Sequence, residues 1–374
     1  MLKTDLLTRQ EEALYENFLN KCRFSSVQHS VDWRNTISDL GKDEPFFIVA
    51  KENNEIVGVL PLYYYRSKSG NLLTTIAWHT ISGIILSETA TAKETERGGY
   101  RALLDHSIEL AKELDCTALS IATNPFLDDK EYYVERLQPD YRMENFIQYI
   151  NLNEIFDEQG NAVHPNYARR SNLSRNLRRA EIQNTVISDE PTRDNVEECL
   201  RVYSKRMKEV HATPLPNEMF GSINKNLVSK GKGKFVFAFN QGKIVSAALV
   251  MFNNRLIDAY MMCMDSEYRE TRSNFLITYY LLKWASQRGI SILNWQSAPS
   301  KKDGVYRWKE QWGSRELTFL YFTKILGDIS QWKNMDLDGL KQAYGFHYLL
   351  PFNLLKSKDN SRFTTKDAVS RILS

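Results

Sequence analysis

Five arginines stand close together near the middle of the chain: Arg169, Arg170, Arg175, Arg178 and Arg179. Guanidinium groups bind phosphates in a bidentate geometry, so a cluster of this kind predicts contact with a phosphate-bearing ligand. On a helix that starts near residue 173, the last three project to one side and form a cationic face. The alternative is an ordinary solvated helix face at a junction between domains.

Two tryptophans flank a lysine in the segment GVYRWKEQWG, which begins at Gly304. Trp308 and Trp312 are four residues apart, which places both indoles on one face of a helix. Such a face could stack a nucleobase or adenosine. The alternative is that Lys309 is a solvated cation beside two tryptophans of the core.

The elements that must position these residues follow a pattern that occurs twice. Residues 47–58 (FIVAKENNEIVG) resemble residues 235–246 (FVFAFNQGKIVS). Each segment predicts a strand, a tight turn of Asn-Asn or Gln-Gly, and a second strand. Asparagine and glycine suit the positive φ angles of a two-residue hairpin turn. The sequence therefore predicts two related hairpins.

A third strand, a helix and a fourth strand are predicted after each hairpin. The strands are expected at 74–81, 118–122, 256–264 and 290–295, and the helices at 100–114 and 274–288. The repeated order predicts an α/β chain with one domain at 1–150, a second at 151–325 and a C-terminal helical extension at 326–374. A chance match between two common hairpins is the alternative.

Composition agrees with this organisation. A chain of 374 residues is longer than one hydrophobic core usually spans, and its 42% hydrophobic and 25% charged residues are ordinary for a soluble globular protein. The formal net charge of +3 does not predict nucleic-acid binding by the chain as a whole. Only a local patch could bind a polyanion.

Several functional classes are disfavoured. The four cysteines have no CxxC or Cys/His spacing, so we expect reduced, buried thiols and no metal site. The charged N-terminus lacks the apolar region of a signal peptide, and no stretch approaches the length of a membrane span. The expected location is cytoplasmic.

Five segments resemble those of FemAB-type proteins. RNLRRAE from Arg175, HATPL from His211 and GVYRWKEQWG are similar to three second-domain motifs of that family. IVGVLPL from Ile56 and ISGIIL from Ile81 are similar to two first-domain segments. The resemblance extends over residues 24–323 and is strongest to the FemAB-like, CelD-type proteins of envelope and polysaccharide gene clusters.

The resemblance implies two tandem GNAT-like domains with mixed central sheets flanked by helices. Characterised members transfer an aminoacyl group from aminoacyl-tRNA to an amine of a cell-wall precursor, and others are acyl-CoA N-acyltransferases. In the family motif, the lysine that matches Lys309 lies at the cleft and stabilises transition-state or carrier charge. Trp308 stands in place of the usual phenylalanine. Basic residues near Arg175, Arg178 and Arg179 are implied to contact a phosphorylated carrier.

The donor is harder to assign. A GNAT domain that binds CoA has a glycine-rich pyrophosphate turn before its central helix. The matching segment here, YRETRSNF at 268–275, has no glycine, which disfavours acyl-CoA without excluding it. Arg269, Arg272 and Asn274 are the expected polar contacts at that helix N-terminus. Helix capping by Ser273 or Asn274 is the alternative.

A general base is not obvious. Asp265 ends the third strand of the second half, where a GNAT cleft opens, and is the candidate. Asp258 lies inside that strand. The substrate or carrier could instead take the proton, so that no protein base is needed.

The sequence thus predicts an N-acyltransferase that forms an amide on an amine of a cell-envelope or polysaccharide precursor. No tightly bound cofactor is expected, and the co-substrate is acyl-CoA or aminoacyl-tRNA. The acceptor is a small molecule, a nucleotide sugar or a lipid-linked precursor. We expect the first domain to shape the acceptor groove and the second to carry the donor site. The alternative is a tandem-GNAT binding scaffold without activity.

Overall fold

The computed structural model describes residues 2–78, 81–88, 93–297, 300–302 and 304–344. The chain divides into two compact units. The first comprises Met1–Phe146 with Thr318–Ser374, and the second comprises Ile147–Leu317. Within the described ranges, no helix combines the length and the apolar character that crossing a membrane requires.

The first part of the chain builds most of the first unit. Its elements are β1 (Lys3–Leu6), α1 (Glu12–Lys21), α2 (Val31–Leu40), β2 (Asp43–Glu52), β3 (Glu55–Tyr65), β4 (Asn71–Thr74), β5 (Ile85–Leu86), α3 (Lys93–Glu113), β6 (Cys116–Ala122) and α4 (Lys130–Leu137). The long strand β7 (Tyr141–Asn151) follows and contains the boundary between the units.

The second unit continues with more helices. Its elements are α5 (Leu152–Ile155), α6 (Asn172–Ile182), β8 (Val186–Ser188), α7 (Arg193–Glu209), α8 (Asn217–Ile223), β9 (Gly233–Asn240), β10 (Lys243–Asn253), β11 (Leu256–Met264), α9 (Ser273–Gln287), β12 (Ile292–Asn294) and α10 (Gly304–Glu310). Strand β13 (Arg315–Ile325) contains the second boundary, and α11 (Ser330–Asn334) and α12 (Leu337–Tyr344) follow it.

Each unit has a mixed sheet. In the first, the strand order is β1-β2-β3-β4-β6-β13, with β5 beside β3, and β4 runs parallel to β6. In the second, the order is β7-β12-β11-β10-β9-β8, and β11 runs parallel to β12. Helices pack on the sheets through apolar side chains, such as Leu103 of α3 in the first unit and Leu281 of α9 in the second. The prediction of mixed sheets flanked by helices is confirmed.

Both predicted hairpins are present. β2 pairs with β3 and β9 with β10, and the turn residues Asn53, Asn54, Gln241 and Gly242 all have positive φ, from 50° to 76°. This is the backbone that a two-residue turn requires. Each hairpin also has a register shift one or two residues from its turn. The repeat seen in the sequence is therefore a structural repeat.

The division of the chain into two units differs from the expected domain boundaries at the C-terminal end. The third strand of the first half ends at Thr74, earlier than expected, and residues 79–80 of its predicted range lie outside the described residues. The residues expected to form a separate C-terminal extension belong to the first unit. β13 pairs with β6, and the Trp332 indole N–H donates to the Ser69 carbonyl at 2.6 Å. These long-range contacts have no local sequence signal.

Candidate functional site

The parallel strands of the second unit separate part-way along their length. Ladder pairing joins β11 and β12 only between residues 256–258 and 292–294. Beyond that point β11 stays paired with β10, whereas the Trp295 amide donates to the Gln148 carbonyl on β7 at 2.8 Å. We call the gap between β11 beyond Asp258 and residues 295–297 the fork. Crevices at the carboxyl ends of parallel strands are common ligand sites in α/β sheets.

A buried carboxylate lies where the strands separate. Asp258 is fully buried, and its Oδ1 accepts from Asn294 Nδ2 at 2.5 Å and from Gln296 Nε2 at 3.0 Å. The backbone amide of Gln296 donates to Asn294 Oδ1 at 3.0 Å. Gln296 has a φ of +61°, an uncommon conformation for a residue with a side chain. This network holds the chain in a fixed turn as it leaves β12.

Lys309 contacts the same turn from α10. Its side chain is only 5% exposed, and Nζ donates to the carbonyl oxygens of Gln296 at 3.3 Å and Ser297 at 3.0 Å. A buried ammonium needs acceptors of this kind because burial without them is costly. Lys309 is therefore not the solvated cation of the alternative interpretation. Its charge is directed at the backbone that lines the fork.

The two tryptophans of the same motif lie in the core rather than on a free surface. Trp312 is fully buried, and its ring contacts Phe275 at 5.8 Å and Tyr167 at 6.2 Å between centroids. Trp308 is half-buried and packs edge-on against Trp295 at 5.4 Å. The expectation that Trp312 stacks on a nucleobase is wrong, because neighbouring rings already cover it. Helical spacing predicts a shared face but not what that face meets.

Asp265 follows the end of β11 that is far from Asp258, and it is part of an ion pair. Its Oδ1 accepts from Lys205 Nζ at 2.7 Å and from the Glu267 amide at 3.1 Å. Burial alone would raise the pKa of this carboxyl, but these two donors outweigh burial and leave the pKa below its usual value. Asp265 lies seven residues beyond Asp258, or roughly 20 Å along an extended strand. An ion-paired carboxylate with a lowered pKa is a weak proton acceptor near neutral pH, so the ion pair disfavours the expected role of Asp265 as general base.

Backbone amides of the segment before α9 already donate hydrogen bonds within that segment. Residues 266–271 form a short 3₁₀ helix, in which the Tyr268 amide donates to the Asp265 carbonyl at 3.1 Å and the Arg272 amide to the Arg269 carbonyl at 3.3 Å. The Phe275 amide donates to the Arg272 carbonyl at 2.9 Å. Few N–H groups here remain for a pyrophosphate, in agreement with the missing glycines.

The polar residues predicted at this helix N-terminus are dispersed. Arg269 is exposed, Asn274 is half-buried, and an Arg272 guanidinium nitrogen lies 3.7 Å from a Glu270 carboxylate oxygen. Arg272 occupies the N-cap position with a φ of +54°, and no side chain caps the helix. The structure thus supports neither capping by Ser273 nor a cluster of donors for a phosphate.

The arginine cluster lies on and just before α6, and the structure forms the predicted helix. Ser171 caps it by accepting from the Ser174 amide at 3.0 Å. Arg175, Arg178 and Arg179 are all exposed. In the described part of the chain, no hydrogen bond or ion pair joins them to Lys309. Arg178 also donates from Nη2 to the Arg169 carbonyl at 2.6 Å. The expected contact of these arginines with a phosphorylated carrier stays a prediction.

Sequence reasoning missed most of the residues that the fork brings together. Asn294, Gln296 and Gln148 carry no motif, and their proximity depends on the pairing of β7, β11 and β12. Gln148 donates from Nε2 to the Tyr306 carbonyl at 3.2 Å and so joins β7 to α10. The one available signal was Asp258, a carboxylate within an otherwise apolar strand.

Comparison with known proteins agrees with this geometry. Residues 168–310 match the family model of an acetyltransferase (GNAT) domain. The matched residues lie within the second unit, which is therefore similar to a GNAT domain. This match includes β11, the fork and Lys309. The expected acyltransferase class is confirmed by it.

Solved structures extend the likeness to both units. The crystal structure of FemX covers 91% of this chain and 99% of its own, with a TM-score of 0.67 at 13% identity. L-PGS from Bacillus licheniformis covers 91% and 96%, with a TM-score of 0.54 at 12% identity. A tandem GNAT protein from the clavulanic acid biosynthesis pathway covers 88% and 100%, with a TM-score of 0.52 at 12% identity. These similarities confirm the predicted FemAB-like tandem GNAT fold.

A search of curated protein sequences found no match to this chain.

Proposed function

We propose that this acyltransferase forms an amide on an amine of a cell-envelope or polysaccharide precursor, with the bond made at the fork of the second unit. The observation that carries the proposal is the separation of β11 from β12 beside the buried Asp258, Asn294 and Gln296 network. A site for acyl transfer needs rigid walls that hold the donor carbonyl against the nucleophile. The network and Lys309 supply that rigidity.

The fork suits an extended donor arm. β11 beyond Asp258 and residues 295–297 present two strand edges without a ladder between them in the described structure. An extended chain entering such a gap can form main-chain hydrogen bonds as an added strand does. Both the aminoacyl end of a tRNA and the pantetheine arm of CoA are narrow enough for this mode of binding.

The reaction itself requires few protein groups. The amine nitrogen of the acceptor attacks the donor carbonyl carbon and forms the C–N bond. The carbon–oxygen bond of an ester, or the carbon–sulfur bond of a thioester, then breaks. The proton lost by the amine goes to the leaving oxygen or sulfur. Because Asp258 is fully buried and already accepts two hydrogen bonds, its proposed role is to orient Asn294 and Gln296.

The donor that we favour is aminoacyl-tRNA. The amides before α9 are engaged within their own 3₁₀ helix, and the segment also carries Asp265, Glu267 and Glu270. Acidic side chains and engaged amides both disfavour a pyrophosphate, which GNAT domains that use CoA hold at this place. Arg269, Arg272 and Asn274 therefore stay predictions as donor contacts.

Lys309 is proposed as a positioning residue. Its ammonium fixes the carbonyls of Gln296 and Ser297, so its loss should disturb the geometry of the fork more than the affinity for either substrate. We expect Lys309→Met to lower kcat by about 100-fold or more with a smaller change in KM, as expected when an interaction needed for the reacting geometry is removed. Lys283→Met, at an exposed lysine of α9, is the matched control and should leave both constants unchanged.

The experiment is a transfer assay with the full chain. Purified protein is incubated with amine acceptors, including UDP-amino sugars, and with either total tRNA charged with labelled amino acids or acetyl-CoA. Label in an acid-stable, amide-linked product from charged tRNA, lost in Lys309→Met and kept in Lys283→Met, is the expected result. Product from acetyl-CoA alone would refute the favoured donor. No product from any donor, with no thermal stabilisation by either, would favour the inert scaffold.

A further inference from the structure

One surface outside the fork combines charge and apolar exposure on the same helix face. Helix α6 turns about 100° per residue, so Arg175, Arg178, Arg179 and Ile182 fall within an arc of roughly 100°. Leu173 and the other inward-facing residues lie on the opposite side, where they pack into the core of the second unit. We call the outward arc, with the adjoining Val186, the α6 face.

The positive charge of the α6 face is uncompensated. In the described chain, no carboxylate lies within 4 Å of the guanidinium groups of the cluster, which are those of Arg169, Arg170, Arg175, Arg178 and Arg179. Arginines on other exposed helices are paired, for example Arg193 with Glu197 and Arg201 with Glu198. The acidic residue of α6, Glu181, falls outside the arc. The arrangement is therefore complementary to a surface that brings its own negative charges.

The apolar component is equally unusual. Ile182 is 75% exposed and Val186 is 64% exposed, and these two exceed every other large hydrophobic residue of the described chain. They lie four residues apart, at the end of α6 and the start of β8. Leaving aliphatic side chains in water is unfavourable, and Ile182 shares the arc of the arginines, so this arc is suited to a partner that is anionic and apolar at once.

We propose that the α6 face docks on a membrane surface rich in anionic phospholipid. Guanidinium groups bind lipid phosphates, while Ile182 and Val186 enter the boundary between headgroups and acyl chains. This explains the aliphatic residues as well as the charge. The inference does not depend on the transfer reaction, and it replaces the expected donor-phosphate role of Arg175, Arg178 and Arg179.

Other partners fit the face less well. Single-stranded RNA is bound through stacking on aromatic rings, and residues 168–186 contain no aromatic residue. Duplex RNA, such as the stem of a tRNA, is bound through its phosphates and 2′-hydroxyls, which would use the arginines but leave Ile182 and Val186 exposed. A second copy of this chain in a two-fold contact would place the same patch against itself and oppose like charges. A membrane surface meets none of these difficulties.

The test is co-sedimentation of the full chain with vesicles. One set contains equal parts of phosphatidylglycerol and phosphatidylcholine, and the other contains phosphatidylcholine alone, both at about 100 mM salt. We expect binding only to the anionic vesicles. Arg175→Gln with Arg179→Gln should weaken it by about 25-fold, since each basic residue near such a surface contributes roughly fivefold. Ile182→Asp should also weaken binding.

Matched controls separate the face from general effects. Leu14→Asp changes a similarly exposed aliphatic residue on α1, and Arg193→Gln removes a paired surface arginine, so both should bind as the unmodified chain does. Circular dichroism checks that each variant is folded. Absence of binding to anionic vesicles, or equal binding by the arginine variants, would overturn the proposal. Binding to total tRNA that the same variants abolish, without vesicle binding, would assign the face to RNA instead.

Discussion

Asp129 of the first unit offers a direct measure of how burial affects a carboxyl group in this fold. Its side chain is 2% exposed and lies at the N-terminus of α4, where Oδ2 accepts from the Tyr100 hydroxyl at 2.8 Å. Burial raises the pKa from the usual 3.8 to about 7, and the Tyr100 hydrogen bond opposes this rise only in part. The native state therefore retains a proton that the unfolded chain releases.

The sign and size of the effect on stability follow from this difference. Below pH 3.8 both states hold the proton and Asp129 costs nothing. Between 3.8 and about 7 the unfolded state binds fewer protons than the native state, so the free energy of unfolding falls as pH rises. A shift of about three pKa units at about 1.4 kcal/mol each gives a penalty of roughly 4 kcal/mol above pH 7. At higher pH both states have released the proton, so the penalty no longer changes with pH.

Asp129→Asn removes the titration and keeps an oxygen that can accept from Tyr100. Relative to the unmodified chain, the variant should gain roughly 2–3 kcal/mol of unfolding free energy between pH 5 and pH 8, from the same linkage relation. Urea denaturation followed by tryptophan fluorescence at several pH values measures the difference. Asp194→Asn, at an exposed position of α7, is the control for the loss of one surface carboxylate. A constant difference between Asp129→Asn and the unmodified chain across this range would refute the assignment.

Two further predictions concern the second unit. Arg272→Gly should stabilise the chain by about 1 kcal/mol in urea denaturation, because Arg272 has a φ of +54° that costs a residue with a side chain; destabilisation would show that its side-chain contacts matter more. Lys205→Met should destabilise the chain at neutral pH, because it leaves the Asp265 carboxylate without its cation. Asp265 contributes stability above its usual pKa of 3.8 and loses it as pH falls through its lower native pKa, so the difference from the unmodified chain should close in acid. Lys208→Met, an exposed residue on the same helix, is the control, and an equal loss there would contradict the ion-pair explanation.

The hairpins and α9 were predictable because their signals are local. Turn residues with positive φ, alternation along strands and helical spacing all act within a few positions of the chain. The prediction for β11 matched the observed strand, Leu256–Met264, and α9 differed by one residue at each end. The repeated order of these elements was sufficient to indicate two related α/β domains, and the motif resemblance implied that these are GNAT-like.

The candidate site was predictable only in part. The motif around Lys309 pointed to the right segment, yet the ammonium reaches carbonyls at Gln296 and Ser297, whose positions depend on how β12 leaves the sheet. Asp265 was expected at the end of a strand, where a cleft opens, and was the candidate general base. The cation that pairs with it, Lys205, lies on a helix 60 positions earlier in the chain. The sequence around Asp265 therefore does not predict this ion pair.

By itself, the sequence determined the repeat, the hairpins and the presence of a cationic helix face, because each of these rests on short-range pattern or on residue type. The acyltransferase class followed from the resemblance of its motifs to a known family. Only the tertiary structure decided that Trp312 is core, that Lys309 is buried against the backbone, and that Asp258 meets Asn294 at the fork. The physical reason is that burial and hydrogen bonding between distant segments depend on sheet register. A residue's type and its spacing along the chain carry no information about which strand will lie beside it.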